Sequence, residues 1–423
     1  MAKPDDPQPK PAEEQQNGPQ QKGLKISQLP LAFAVMCLVP FLMVLGNSMV
    51  IPILPKIQST LHITRLQSGL IVSLFSIPAG LFIPVSGFLS DRLGRRPVIV
   101  PSLALYGLGG LLAGAAPLFS SSPYGWILAG RVLQGLGAAG TAPIVMALAS
   151  DLFQGVQRST ALGALEAANA IGKVASPILG SLVALIAWYA PFFLYGALCV
   201  PAAIAFWFLV TAAGQAPQAV ALREYGQVVR KVAKSRGAAL FSAFLAGFSF
   251  LLLLFGVLFY LSEFLEKTYH MDGVRKGLAL AVPVAALTVA ALVNGRWLQP
   301  KIRRRHDLVL TGLVASAVSL VALGFWRGVV PLFVAAGVMG FGGGLVLPTL
   351  NNLITSAVAA NERGIITALY GSVRFFGVAA GPPGFAWLLE HGVRTMFLAA
   401  AGLDVLAAVA VLVWLHHLNQ GNA

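Results

Sequence analysis

Twelve runs of about 20 mostly apolar residues fill most of this chain, and few folds tolerate that pattern. They lie at 31–54, 67–90, 97–117, 124–149, 160–184, 188–210, 238–262, 275–298, 307–325, 329–356, 364–388 and 395–415. A helix rises about 1.5 Å per residue, so each run is long enough to cross the hydrocarbon core of a bilayer. The runs are continuous and lack the alternation of a transmembrane strand. Only 10% of the 423 residues are charged and 57% are hydrophobic, against about 25% charged in soluble domains. Those numbers exclude a disordered protein and a soluble two-domain enzyme, and 2 Cys exclude a disulfide scaffold. Cys37 and Cys199 sit inside apolar runs and read as small buried hydrophobes. The expected class is an all-α polytopic membrane protein with 12 transmembrane helices.

The net charge of +14 is mostly topological. With the N-terminus in the cytoplasm, 19 of the 29 Lys and Arg residues fall on inner segments and 7 on outer ones. This asymmetry is the positive-inside pattern, so both termini are expected in the cytoplasm. No nucleic-acid partner is needed to explain it. Residues 1–29 are rich in Pro, Gln, Lys and Glu and read as a disordered cytoplasmic tail. Residues 30–211 form a first half of six spans, and 238–417 form a second. Between them, 212–237 reads as a cytoplasmic linker with a basic amphipathic helix.

The halves repeat one another. A shift of 205 positions places Gly135 on Gly340, Gly137 on Gly342, Pro143 on Pro348, Arg158 on Arg363, Gly172 on Gly377 and Pro177 on Pro382. Parallel six-span repeats put a substrate site at their interface, near the bilayer midplane. Two pseudo-symmetric six-helix bundles are therefore expected.

Four stretches carry motifs. Between spans two and three lies Gly87-Phe88-Leu89-Ser90-Asp91-Arg92-Leu93-Gly94-Arg95-Arg96-Pro97. Gly94 suits a tight turn, and Asp91 can make charge-assisted bonds to Arg92, Arg95 or Arg96. Its counterpart, Gly295 to Arg305, keeps the glycine and the basic end but has no acid. Span four holds Arg131-Val132-Leu133-Gln134-Gly135. Gly135 to Gly140 spells a dinucleotide fingerprint, yet no strand precedes it. Span five holds Gly172-Lys173-Val174-Ala175-Ser176-Pro177-Ile178-Leu179-Gly180-Ser181, echoed by Gly381 and Pro382 in span eleven. Span one ends in Gly46 followed by Pro52 and Pro55.

Together these stretches resemble the major facilitator superfamily, and within it the 12-helix drug/proton antiporters, including a bacterial aromatic-compound and drug exporter branch. The loop after span two is similar to that family's G-x-L-a-D-R-x-G-R-R signature. The resemblance implies that Gly87, Asp91, Arg92, Gly94, Arg95 and Arg96, with Asp151 and Arg158, latch the halves on the cytoplasmic side. It links Arg131 to proton coupling, and Gly172, Ser176, Pro177, Gly180, Gly381 and Pro382 to helix packing. Ser176 and Ser181 replace two glycines of the family's antiporter motif. The implied activity is export of amphipathic, drug-like small molecules by proton antiport with alternating access. A dedicated siderophore or lipid exporter, a proton-coupled importer and, more remotely, a non-transporting sensor stay open. The expected setting is a monomer in the bacterial cytoplasmic (inner) membrane.

Charged residues inside spans are costly and functional by default. Glu166 and Lys173 are seven apart, hence about 20° apart around a helix and about 10 Å along it. Asn169 joins the same polar stripe. Glu166 is the expected proton carrier, with Asp404 a second acid. The 205 shift sets Arg374 on Asn169, so Arg374 should face the same cavity, and it can pair with Asp404. Asn47, Asn351, Asn352, Tyr370 and Phe248, with Phe244 and Phe255, are further candidates for the cavity wall. No metal-binding cluster, nucleophile motif or phosphate-binding loop occurs in the sequence. No cofactor and no enzyme activity are expected; a proton gradient is the expected energy source.

Overall fold

The computed structural model describes residue 26 and residues 30–210, 222–299, 305–326, 328–359 and 362–415. Apart from Ile26, the expected tail lies outside them, as do residue 211 and the 212–221 part of the linker. The described chain is helical throughout: α1 (Pro30–Ser48), α2 (Leu54–Leu61), α3 (Arg65–Leu93), α4 (Arg95–Phe119), α5 (Tyr124–Ala139), α6 (Ala142–Leu152), α7 (Gly155–Val183), α8 (Ala190–Leu209), α9 (Leu222–Tyr269), α10 (Gly273–Val293), α11 (Arg305–Phe325), α12 (Val329–Ser356), α13 (Arg363–Glu390) and α14 (Val393–Trp414).

Proline explains where expected spans divide. Pro52 and Pro55 lack the N–H that a continuing helix needs. The first span therefore becomes α1, a 3-10 turn at Ile51–Ile53 and the short α2. The fourth span breaks at Gly140-Thr141, ahead of Pro143, into α5 and α6. Its repeat partner Pro348 sits inside an uninterrupted α12. The linker helix and the seventh span form one element, α9, that bends at Arg236 (φ −138, ψ 19).

Among the described residues, eleven helical segments are long and apolar enough to cross a membrane. The twelfth expected span is α7, whose 29 residues reach about 43 Å but carry Arg158, Glu166 and Lys173. Length serves it for crossing; composition reflects what it lines. This is a multi-pass membrane protein.

Packing follows the halves of the chain. In the first, α4 packs on α5 and α8, α3 on α5, and α1 on α7 and α8; in the second, α11 packs on α12 and α14, α10 on α12, and α9 on α13 and α14. The repeated glycines mark the closest approaches. A Cβ at Gly135 would stand 2.1 Å from the Phe75 carbonyl oxygen, and one at Gly340 2.0 Å from that of Pro283. One at Gly377 would stand 2.3 Å from the Phe248 oxygen, and one at Gly180 2.1 Å from that of Met49. Small residues let helix backbones meet where apolar burial gives no net drive, because lipid is as apolar as the core.

Across the halves, α3 packs on α13 and α7 on α10. These contacts gather toward the Arg65 end. Thr64 starts α3 with a capping box: its hydroxyl accepts from the Gln67 N–H, and its own N–H donates to the Gln67 side chain. Arg65 then donates to Glu263 of α9 at 2.7 Å, and Lys267 meets the same oxygen at 2.7 Å. Among the described residues, Arg65–Glu263 is the only ion pair that joins the halves. Ser262 donates to the Ile51 carbonyl at 2.9 Å, and Ser73 to that of Ala379 at 2.6 Å.

Candidate functional site

The end of α1 is held by side chains from four other helices. Tyr106 of α4 donates to the Leu42 and Met43 carbonyls, at 3.1 and 3.2 Å. Ser176 of α7 and Tyr195 of α8 both donate to Leu45, each at 3.2 Å. Arg131 of α5 donates to Gly46 at 2.8 Å, to Ile71 of α3 at 2.9 Å and to the Gln134 side chain at 2.9 Å. It is fully buried, with its guanidinium 4.5 Å above the Phe75 ring. No carboxylate pairs with it among the described residues. The arginine assigned to proton coupling by resemblance is therefore a backbone brace in this conformation. Asn47 is buried beside this break, and its amide oxygen has no partner.

The polar stripe of α7 lies between two packed faces. Gly172, Ser176 and Gly180 face α1, while Gly277 of α10 meets Pro177, Ile178 and Ser181. By helical rotation, Asn169, Lys173 and Glu166 fall on the arc between these faces. Glu166 is exposed in the protein, and Asn169 and Lys173 are half-buried. No direct bond joins Glu166 to Lys173, as their 10 Å axial offset anticipates. Lys173 lies within electrostatic reach of both Glu166 and Arg374. Arg374 comes from α13, in the other half of the chain.

Around Arg374 the surroundings are aromatic. Its guanidinium stands 5.5 Å from the Tyr370 ring, and its Nε is buried without a hydrogen-bond partner. Tyr370 is buried, packs on Gly247 and stands 5.6 Å from the Phe244 ring. Its hydroxyl has no partner. Phe375 lies 6.5 Å from Phe75 across the α3–α13 contact. Phe248 is half-buried, with its carbonyl against Gly377. Phe255 belongs to the core.

Three expectations need correction. The Arg374–Asp404 pair does not form. Asp404 of α14 is fully buried, and neither carboxyl oxygen has a hydrogen-bond or ion-pair partner. Its polar neighbour is Ser316 of α11. Similar depth along consecutive helices did not put the two side chains on facing arcs. Second, Asn352 does not line the cavity. It accepts from Arg305 and donates to Gln299, each at 2.8 Å, while Asn351 is exposed. Third, the Asp91 cluster does not latch the halves in this conformation. Arg95 bridges Asp91 (2.5 Å) and Asp151 (3.0 Å), and it also donates to Ser90. Arg96 bonds the Trp207 carbonyl and covers its ring. All of these partners lie in the first half. Arg158 and Asp151 line a small polar cavity of 360 Å³ beside them; Arg92 is exposed.

Sequence reasoning missed two clusters. The second half replaces the carboxylate network by amides: Asn294 donates to Gly344, Leu345 and Thr349, and Gln299 links Thr349 to Asn352. The signal was the two side-chain amides, Asn294 just before the degraded motif and Gln299 within it. It also missed Glu263, which follows directly on the expected limit of span seven. A larger groove of 590 Å³ lies between α11 and α14. Its lining is wholly apolar and lacks the charges of the interior.

A helical chain of two repeated halves that keeps Lys173, Arg374 and a buried Asp404 within its spans belongs to the class of polytopic membrane carriers. The chain belongs to the Major Facilitator Superfamily, whose pattern matches residues 36–300 and again 243–422, and it is a transporter of that family. It is 41% identical over 376 residues to a bacillibactin exporter of Bacillus subtilis (strain 168), covering 88% of this chain and 94% of that one. The multidrug efflux protein YfmO of the same organism is 28% identical over 394 residues, covering 90% and 91%. Among solved structures, a bacterial homolog of the human lysosomal transporter Spinster, inward-facing and unoccupied, matches with a TM-score of 0.74 at 16% identity. That match covers 92% of this chain and 97% of the other.

Proposed function

We propose that this transporter exports a siderophore of the bacillibactin kind out of the cytoplasm. One observation carries the reading: 41% identity to a bacillibactin exporter across 94% of that protein's length. The broader drug-export reading rests on more distant relatives, at 28% and below. In this account the chain is a monomer in the cytoplasmic membrane, with two six-helix bundles and both termini inside. The positive-inside pattern then puts the Asp91 end in the cytoplasm and the Arg65 end outside. The conformation described is closed outside, and alternating access proceeds by rocking one bundle against the other. No cofactor enters this cycle.

A proton gradient drives the exchange, and two acids are placed to carry the proton. Asp404 is favoured. An ionised carboxylate without a cation is costly to hold in a span, by several kcal/mol. Its burial between α11 and α14 therefore calls for a proton that a change of conformation can release. Glu166, exposed beside Lys173, is the second candidate. The test is substrate movement in proteoliposomes under an imposed pH gradient, for wild type, Asp404→Asn and Glu166→Gln. Loss of gradient-driven accumulation in Asp404→Asn, with exchange at equal pH retained, supports the assignment. Retained accumulation in Asp404→Asn refutes it.

A further inference from the structure

Two half-buried cations from opposite halves, Lys173 and Arg374, lie within electrostatic reach without an anion in contact. Lys173 of α7 has no hydrogen bond or ion pair among the described residues, and Arg374 of α13 has only the Tyr370 ring. They lie within electrostatic reach of each other. The one nearby acid, Glu166, is two helical turns from Lys173 and touches neither. The three groups sum to +1. Like charges held together in a low-dielectric interior repel, and a buried guanidinium nitrogen without a partner costs further. An anion lodged between the two relieves both costs. Guanidinium supplies a planar fork that fits a carboxylate, and ammonium supplies a rotatable point charge. Phe244, half-buried against the Tyr370 ring that Arg374 approaches, offers an aromatic edge for a ring attached to that anion.

We propose that Lys173 and Arg374 form a clamp for an organic anion with an aromatic body, and that this is the substrate class. The inference rests on the transport reading above and deepens it. Because its jaws belong to different halves, the clamp is complete only when α7 and α13 are near. The ligand therefore favours the state in which the interior closes around it. Glu166 acts as the counter-charge of Lys173 in the empty carrier and competes with the ligand. Removing its charge should tighten anion binding.

The test is equilibrium binding to the full-length protein in phosphatidylcholine nanodiscs, where no gradient exists. The probes are 2-naphthoate, the neutral 2-naphthamide and the cationic 2-naphthylmethylammonium. The carboxylate should bind about tenfold more tightly than the amide, the scale of one charge-assisted bond. Lys173→Gln and Arg374→Gln should each erase that preference. Arg374→Lys should keep part of it, and Glu166→Gln should strengthen carboxylate binding severalfold. A single size-exclusion peak and a melting temperature near that of wild type show that the variants fold. Carboxylate binding no tighter than that of the amide or the ammonium overturns the clamp. So does a preference that survives both glutamine variants, or weaker carboxylate binding in Glu166→Gln. If the carboxylate binds as predicted but proteoliposomes move no anion, the clamp stands and the transport reading falls.

Discussion

Replacing Gly340 by alanine tests the packing of the repeat. The new methyl carbon would meet three backbone atoms of Pro283, the nearest at 2.0 Å and the others at 2.8 and 3.1 Å. Ordinary contact between such atoms begins near 3.5 Å, so α12 and α10 must separate by roughly 1 Å or more. Backbone cannot swing aside as a flexible side chain can. Overpacking of this kind costs about 1–3 kcal/mol, while the helix propensity gained by Gly→Ala returns about 0.5–1 kcal/mol. The net expectation is a loss of about 1–2 kcal/mol. Gly402 on α14 and Gly163 on α7 have nothing within 4 Å of the added carbon, so alanine there should be neutral or slightly stabilising. The assay is the melting temperature of purified protein in detergent, read by loss of the monodisperse peak. Gly340→Ala should melt below wild type, and its repeat mate Gly135→Ala likewise. A Gly340→Ala melting temperature equal to that of Gly402→Ala refutes the reasoning.

Arg131→Met leaves three carbonyl or amide oxygens without their donor, and should cost about 3 kcal/mol or more; Arg131→Lys should recover only part, as thermal unfolding in detergent will report. Lys231 of the linker helix donates to Glu362 at 2.8 Å and holds its carboxyl below the ordinary value of 4.5. A depressed carboxyl favours folding above the unfolded value. That stabilisation should vanish as pH falls below about 4.5 through the folded value, and Glu362→Gln should flatten melting curves over that interval. Lys231 is largely exposed, so the effect should be small and weakened by salt. Glu263→Gln removes the partner of both Arg65 and Lys267. It should raise the labelling rate of a single cysteine introduced at Asn47 by an impermeant external thiol reagent, on a background without native cysteines; an unchanged rate refutes its role in outer closure.

The spans were legible because bilayer thickness fixes their length. The 205-residue repeat located Gly135, Gly340 and Gly377 at real helix contacts, since only small residues fit there. Side-chain direction across helices was less legible. Asp404 and Arg374 share a depth, yet rotation about two axes decides whether they meet, and no sequence spacing encodes that relation. Asn352 looked like a cavity residue because polarity inside a span suggests function; it serves an amide network instead. Helix breaks at Pro52 and Pro143 were visible as prolines, but the uninterrupted helix around Pro348 shows that neighbouring packing decides the outcome. Arg131 had a family role before it had a geometry. Only the fold shows that its bonds run to α1 and α3 backbone.

The most direct test of siderophore export uses a bacterium that makes a siderophore of the bacillibactin kind but lacks its exporter. This chain is expressed there, and extracellular siderophore is measured under iron limitation alongside resistance to lipophilic dyes. The account predicts restored secretion with little change in dye resistance, and no restoration by Asp404→Asn. Unrestored secretion with raised dye resistance would contradict it and return the protein to general drug efflux.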